Sequence, residues 1–263
     1  MSPAEAAASA LKISRDDVVA VESIKHGLTN ESWLVRTRAA VVVVRMGAAN
    51  ESALRIDRAS ETRVLAAVAA AGIGAPVLQC DPARHLLVTR YLGPPWSQQD
   101  AQSVINIRRL ADVLRRLHRI DTPPGVRTVD LGATVAGYLG TLDLHGASSN
   151  LTGPTLRTRA RIAAESLRRD SAPCLCHNDV HHLNVVDGGE LRLIDWEYAG
   201  TGEPLFDLAS VCVYHRYDRA QRELLLSEYS RGAPASATRL ELALWLFEYI
   251  RDLWTAVRSL RDG

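Results

Sequence analysis

The chain has 263 residues, 47% of them hydrophobic, and sets 31 Lys and Arg against 30 Asp and Glu for a formal net charge of +1. That is the composition of an ordinary globular protein, with no overall field to gather nucleic acid. No apolar run reaches the roughly 20 residues that span a bilayer, and MSPAEAAASALKISRDD lacks the basic and apolar parts of a secretion signal, so a cytoplasmic protein with no membrane partner is expected.

The Ala-rich start reads as a frayed helix. Val18–Ile24, Ser32–Arg36 and Val41–Arg45 then carry the β-branched and apolar content of strands, with short connections that suggest an antiparallel meander. Ile56, Ala59, Val64, Leu65 and Val68 recur at helical steps, and Gly72 follows as a stop. Pro76–Cys80 and His85–Arg90 form a strand pair about an Asp81-Pro82 turn. Gly93-Pro94-Pro95 breaks the pattern and divides the chain at residues 1–92 and 93–263.

Beyond that break the chain is helical. Val104, Ile107, Ala111, Leu114 and His118 share a helical stripe, and residues 132–171 mix helix and loop. Asn184–Val186 and Leu191–Asp195 pair across Asp187-Gly188-Gly189, and helices follow near Leu205–His215, Arg219–Tyr229 and Ala237–Arg261. The fold class is α+β, a sheet with one long helix followed by a mainly helical part. Cys174 and Cys176 alternate as strand residues facing one side would; with Cys80 and Cys212 they read as buried thiols.

The stretch CLCHNDVHHLNVV holds the densest chemistry and admits two readings. His177, Asp179 and His181 alternate and could converge on zinc, although Asn178-Asp179 is poor strand material and no distant fourth ligand is evident. The other spacing runs from Asp179 to Asn184, five positions on, and then to Asp195 after a short hairpin. A carboxylate to accept a hydroxyl proton, with an amide and a second carboxylate to hold Mg²⁺, are the parts phosphoryl transfer needs. Mg²⁺ prefers such hard oxygens to imidazoles.

HNDVHHLN followed by LIDWEYAG resembles the choline kinase and aminoglycoside phosphotransferase superfamily, whose fold is protein-kinase-like and two-lobed. The resemblance extends to GLTNESWLV as the nucleotide loop, VVVVRMG as the third strand, IDRASETRVL as the long helix, LLVTRYL as the hinge and EPLFDLASV beyond the metal aspartate. It covers most of residues 18–215 in order, and it implies a nucleotide-binding lobe at 1–92 and a catalytic, acceptor-binding lobe at 93–263.

By that resemblance Asp179 is the catalytic base, and Asn184 and Asp195 are Mg²⁺ ligands. Arg45 stands where protein kinases place a phosphate-binding lysine, with Glu61 as its partner. Thr29 and Asn30 supply the loop's polar side chains, because it holds a single glycine. Arg90 and Leu92 meet adenine, while His177 and Asp207 brace the catalytic loop. ATP and Mg²⁺ are the implied cofactors. No A-P-E follows Asp195, and Asp207 comes twelve positions later, which leaves little room for peptide docking.

The acceptor is read from Trp196, Glu197 and Tyr198 and from the last helix, where Trp245, Glu248, Tyr249 and Asp252 fall three or four apart. Aromatic rings beside carboxylates suit a cation, although core packing is the commoner fate of such aromatics. A choline-like or thiamine-like cationic alcohol is the expected substrate. An aminoglycoside acceptor and a catalytically silent nucleotide-binding protein are the alternatives.

Overall fold

A computed structural model describes residues 1–25, 30–47, 54–147, 150–169, 171–231 and 236–260. Its first elements are α1 (Pro3–Leu11), β1 (Val18–Ile24), β2 (Asn30–Thr37), β3 (Val41–Gly47), α2 (Arg58–Ala70), β4 (Val77–Asp81) and β5 (Leu86–Arg90). Helices α3 (Gln98–Gln102), α4 (Val104–Leu117), α5 (Leu131–Leu144) and α6 (Pro154–Arg169) follow. Short strands β6 (Cys174–Cys176), β7 (Val185–Asp187), β8 (Leu191–Leu193) and β9 (Gly200–Gly202) precede α7 (Pro204–Tyr214), α8 (Arg219–Ser230) and α9 (Ala237–Ser259). One unit comprises Met1–Trp96, Pro123–Val126 and Leu183–Tyr198; the other comprises Ser97–Thr122, Arg127–His182 and Ala199–Gly263. None of the described helices is long and apolar enough to cross a membrane.

The first unit is built on an antiparallel sheet of order β1-β2-β3-β5-β4. Alternation on β3 sends Val42 and Val44 inward, where they join Val35, Leu86 and Val88 in one apolar cluster. Ala6 and Ala7 of α1 complete that cluster and are wholly buried, so the first helix is not frayed. A capping box fixes its start: Ser2 Oγ accepts from the Glu5 amide at 3.3 Å, and Glu5 accepts from the Ser2 amide at 2.8 Å. Alanines let the helix approach the sheet closely, which an amphipathic pattern of larger residues would not have advertised.

Helix α2 departs from its expected stripe. Ala59 is exposed, while Ser60 and Glu61 are buried beside Val64, Leu65 and Val68. A buried carboxylate is tolerated only with charged partners, and Glu61 has two. The β7–β8 hairpin belongs to this unit by backbone pairing: Trp96 N–H donates to Val185 O, and Leu193 N–H donates to Ile73 O, both at 2.8 Å.

In the second unit α4 buries Ile107, Leu110, Ala111, Leu114 and Leu117 completely, each large side chain contributing roughly 1.5–3 kcal/mol. Val104 begins the predicted stripe but lies exposed, because it occupies the first turn. The β6–β9 ladder was not apparent from periodicity, since Gly200-Thr201-Gly202 has no strand signature. Gly200 answers to space. A Cβ on Gly200 would lie 2.7 Å from Arg127 O and 2.8 Å from Val129 Cγ2. Gly200→Ala is therefore expected to cost about 1–3 kcal/mol in urea unfolding. Gly140→Ala, in α5 with nothing within 4 Å of the new methyl, is expected to gain about 0.5–1 kcal/mol in the same measurement.

Candidate active site

A charged network occupies the first unit. Arg45, on β3, reaches Glu61 of α2 at 2.7 Å and Asp195, just past β8, at 3.1 Å. Arg58 also binds Glu61 at 2.7 Å, takes Asn30 Oδ1 at 2.7 Å and lies 3.3 Å from Glu197. Asn30 in turn donates to Glu197 at 2.7 Å. Two guanidiniums thus face three carboxylates, and the surplus negative charge falls toward Asp195, the most accessible of the three. Burial opposes both charged forms, yet the Glu61, Asp195 and Glu197 carboxylates drive Arg45 further up, and Arg45 with Arg58 hold Glu61 below the usual carboxylate range.

Asn184 is buried and precedes β7, where its carbonyl accepts from Ile194 N–H at 3.0 Å. That bond sets Asn184 across the hairpin mouth from the residue before Asp195. Asp195 itself has φ 64°, a left-handed conformation that Asp tolerates better than most residues and that is seldom retained without reason.

The second unit holds the loop after β6. Asp207, wholly buried near the start of α7, accepts the His177 amide at 2.9 Å and the Asn178 amide at 2.6 Å. Ser210 accepts the Val180 amide at 3.1 Å. Asn178, immediately before Asp179, takes φ 68°. Asp179 Oδ1 accepts from the Tyr214 hydroxyl at 2.9 Å, and His181 Nε2 lies 3.6 Å from Oδ2. Burial would raise Asp179, but hydrogen bonding and charge from His181, with His177 and Tyr214 adding to them, leave it below its ordinary value.

The histidines do not form a zinc cluster. His177 is buried with Nδ1 accepting the Asp179 amide at 3.3 Å, His181 stacks edge-on against Tyr214, and His182 faces the buried His215. His182 is lowered, chiefly by burial, and His215 is lowered to about 3 for the same reason.

Other expected site residues sit as follows. Thr29 lies outside the described residues, as do Gly27 and Leu28. The Arg90 amide is committed to Pro76 O at 3.0 Å, so it is not a donor for adenine; Leu92 O abuts the hairpin turn, 2.7 Å from where a Cβ on Gly188 would stand. Trp196 is core packing rather than an acceptor wall: it is 1% exposed and its indole donates to Leu193 O at 3.2 Å. Glu197, also expected at the acceptor, is buried and engaged by Asn30 and Arg58, while Tyr198 is half-buried. Trp245 stacks on Tyr249 with Arg159 3.9 Å over its ring, and Tyr249 donates to Leu151 O at 2.7 Å. Asp252 pairs with Arg251 at 3.0 Å, and Glu248 is exposed.

Sequence reasoning missed Arg58, Tyr214 and Ser210. Arg58 stands three residues before Glu61 in IDRASETRVL, a spacing that pairs charges on a helix. Tyr214 and Ser210 carry no local signal, because their roles depend on how α7 lies against the loop.

A protein-family model for the phosphotransferase enzyme family, designated APH, matches residues 20–245. The chain belongs to the phosphotransferase enzyme family. Choline kinase LicA from Streptococcus pneumoniae shares its fold, with TM-score 0.79 and 21% identity over 98% of this chain and 90% of that one. A choline/ethanolamine kinase family protein from Mesorhizobium loti superposes with TM-score 0.73 at 25% identity, over 93% and 81% of the two chains. A thiamine kinase of Salmonella paratyphi B is 42% identical over 72 residues, 26% of this chain. The chain thus spans about a quarter of the length of the curated relatives it matches.

This phosphotransferase-family chain also has donors that fit a magnesium nucleotide. Asn184 and Asp195 supply hard oxygens, and Arg45 keeps a buried Nε–H with no hydrogen-bond partner. An Arg fork with a spare donor matches a phosphate oxygen.

Proposed function

We propose that this protein transfers the γ-phosphate of ATP to the hydroxyl of a small cationic alcohol. The observation that carries the reading is Arg45, which spans Glu61 and Asp195 as the lysine–glutamate pair and metal aspartate of a kinase would be arranged. Asn184 and Asp195 would hold Mg²⁺, which neutralises charge on the phosphates. Arg45 binds a phosphate oxygen while Glu61 and Arg58 keep its guanidinium in place. Asp179 takes the proton of the attacking hydroxyl, and Tyr214 fixes the rotamer of that carboxylate.

For the acceptor, the partly exposed Tyr214 ring stands beside the Asp179 carboxylate, an aromatic and anionic setting suited to an ammonium group. Trp245 is a poorer candidate, since Arg159 already lies over it. Among the similar proteins, those named choline, choline/ethanolamine and thiamine kinases agree with a singly charged alcohol, while others are named for a macrolide, spectinomycin or an aminoglycoside. The test is ADP release with ATP, Mg²⁺ and choline, ethanolamine, thiamine or an aminoglycoside. Turnover with one of the first three, absent in Asp179→Ala, is expected. Rates no higher than the Asp179→Ala control, or turnover of the aminoglycoside alone, would sink the proposal.

Tyr214→Phe has a directional consequence for pH. The phenol stabilises ionised Asp179, so its removal raises the carboxylate's pKa. A base must be deprotonated to act, and the acid limb of kcat/KM is expected to move to higher pH. An unchanged limb would mean that Tyr214 does not act through Asp179.

A further inference from the structure

Beside Asp207, three potential metal ligands converge among the described residues. Cys174 and Cys176 project from the same face of β6 with their sulfurs 3.8 Å apart, and one nitrogen of His118, at the end of α4, completes a trio of ligand atoms within 4.8 Å of one another. We propose that His118, Cys174 and Cys176 form a binding site for a thiophilic d¹⁰ cation of the Zn²⁺ and Cd²⁺ class.

The sulfur separation is the first argument. Two thiolates at about 2.3 Å from a tetrahedral zinc stand roughly 3.8 Å apart, so the strand already holds the pair at ligating distance. The two sulfurs stand 3.8 Å apart, well beyond the roughly 2.05 Å of a disulfide bond, and both cysteines are free thiols.

The imidazole is the second argument. A carboxylate can only accept, so the 3.0 Å contact from His118 Nε2 to Asp207 Oδ2 fixes the proton on Nε2. Nδ1 then carries the lone pair and accepts from the Tyr229 hydroxyl at 2.8 Å. A metal ion takes the place of the Tyr229 proton at Nδ1. Asp207 behind the ring is then the carboxylate that commonly orients a metal-bound histidine. On binding, each thiol loses a proton to solvent and two S–M bonds and one N–M bond form. Cys176 is wholly buried, while Cys174 is partly exposed and gives the entry path.

The site would act on the loop through Asp207, whose other contacts are the His177 and Asn178 amides. Metal uptake is thereby tied to the backbone that carries Asp179.

Cadmium titration of chelator-treated protein tests the proposal without reference to activity. A thiolate-to-cadmium absorption band saturating at one equivalent is expected, with a cadmium NMR resonance in the range of a sulfur-containing ligand set. Cys174→Ser should abolish the band, whereas Cys80→Ser should retain it. A wild-type protein with no band at one equivalent overturns the proposal whether or not the variants fold. A band that survives Cys174→Ser or is lost in Cys80→Ser overturns it equally.

Discussion

Replacing Asp179 with asparagine is expected to lower kcat by about 10²–10⁴-fold while leaving nucleotide affinity within a few-fold of wild type. The substitution is isosteric and removes the carboxylate that takes the hydroxyl proton. Asparagine can still accept the Tyr214 hydrogen bond at Oδ1, so the loop has no reason to move. The loop's shape also rests on other residues, with Asp207 and Ser210 gripping the amides of His177, Asn178 and Val180. Nucleotide contacts are assigned to Arg45, Asn184 and Asp195, none of which is altered. Steady-state kinetics beside a nucleotide-binding measurement separates the two effects. A variant that retains more than a tenth of wild-type kcat would remove Asp179 from the role of base.

The second large effect concerns stability. Glu61 is buried between Arg45 and Arg58, and Glu61→Ala strips both guanidiniums of a 2.7 Å partner. Breaking a buried ion pair from one side costs about 3–5 kcal/mol, because the remaining charge stays desolvated. Arg58 retains Glu197 and Asn30, and Arg45 retains Asp195, which places the expected loss toward the lower end of that range. Arg45→Met combined with Glu61→Leu removes both charges and is expected to unfold at a higher urea concentration than Glu61→Ala alone. Because Glu61 is held below its usual pKa, its contribution is present above the ordinary carboxylate range. It is lost as pH falls through the lowered value. The stability gap between wild type and Glu61→Gln should therefore close on acidification. A gap that widens at low pH would contradict the assignment.

The strands were legible in the chain because their signal is local. Alternation in Val41–Val44 is a property of contiguous sequence and maps directly onto β3, where Val42 and Val44 turn inward. What stayed hidden depends on tertiary packing. The alanines of α1 read as a frayed end because small side chains give no amphipathic pattern, yet smallness is what lets them pack under the sheet. Trp196 and Glu197 follow Asp195 directly and read in the sequence as acceptor contacts. The hairpin instead turns Trp196 into the core, and Arg58 and Asn30 engage Glu197. Arg58 itself could be found on the helix only once Glu61 was known to be buried. The strand Gly200–Gly202 has no hydrophobic pattern, and Gly200 serves a close approach to Arg127 and Val129.

The central claim is transfer of phosphate to an alcohol, and the most direct measurement is the stoichiometry of that transfer. Protein, ATP, Mg²⁺ and the best acceptor from the screen are incubated, and ADP and phosphorylated alcohol are both quantified. The two products should appear one for one, require Mg²⁺, and vanish in Asp195→Ala. ADP formed without phosphorylated alcohol, or nucleotide bound with neither product formed, would contradict it.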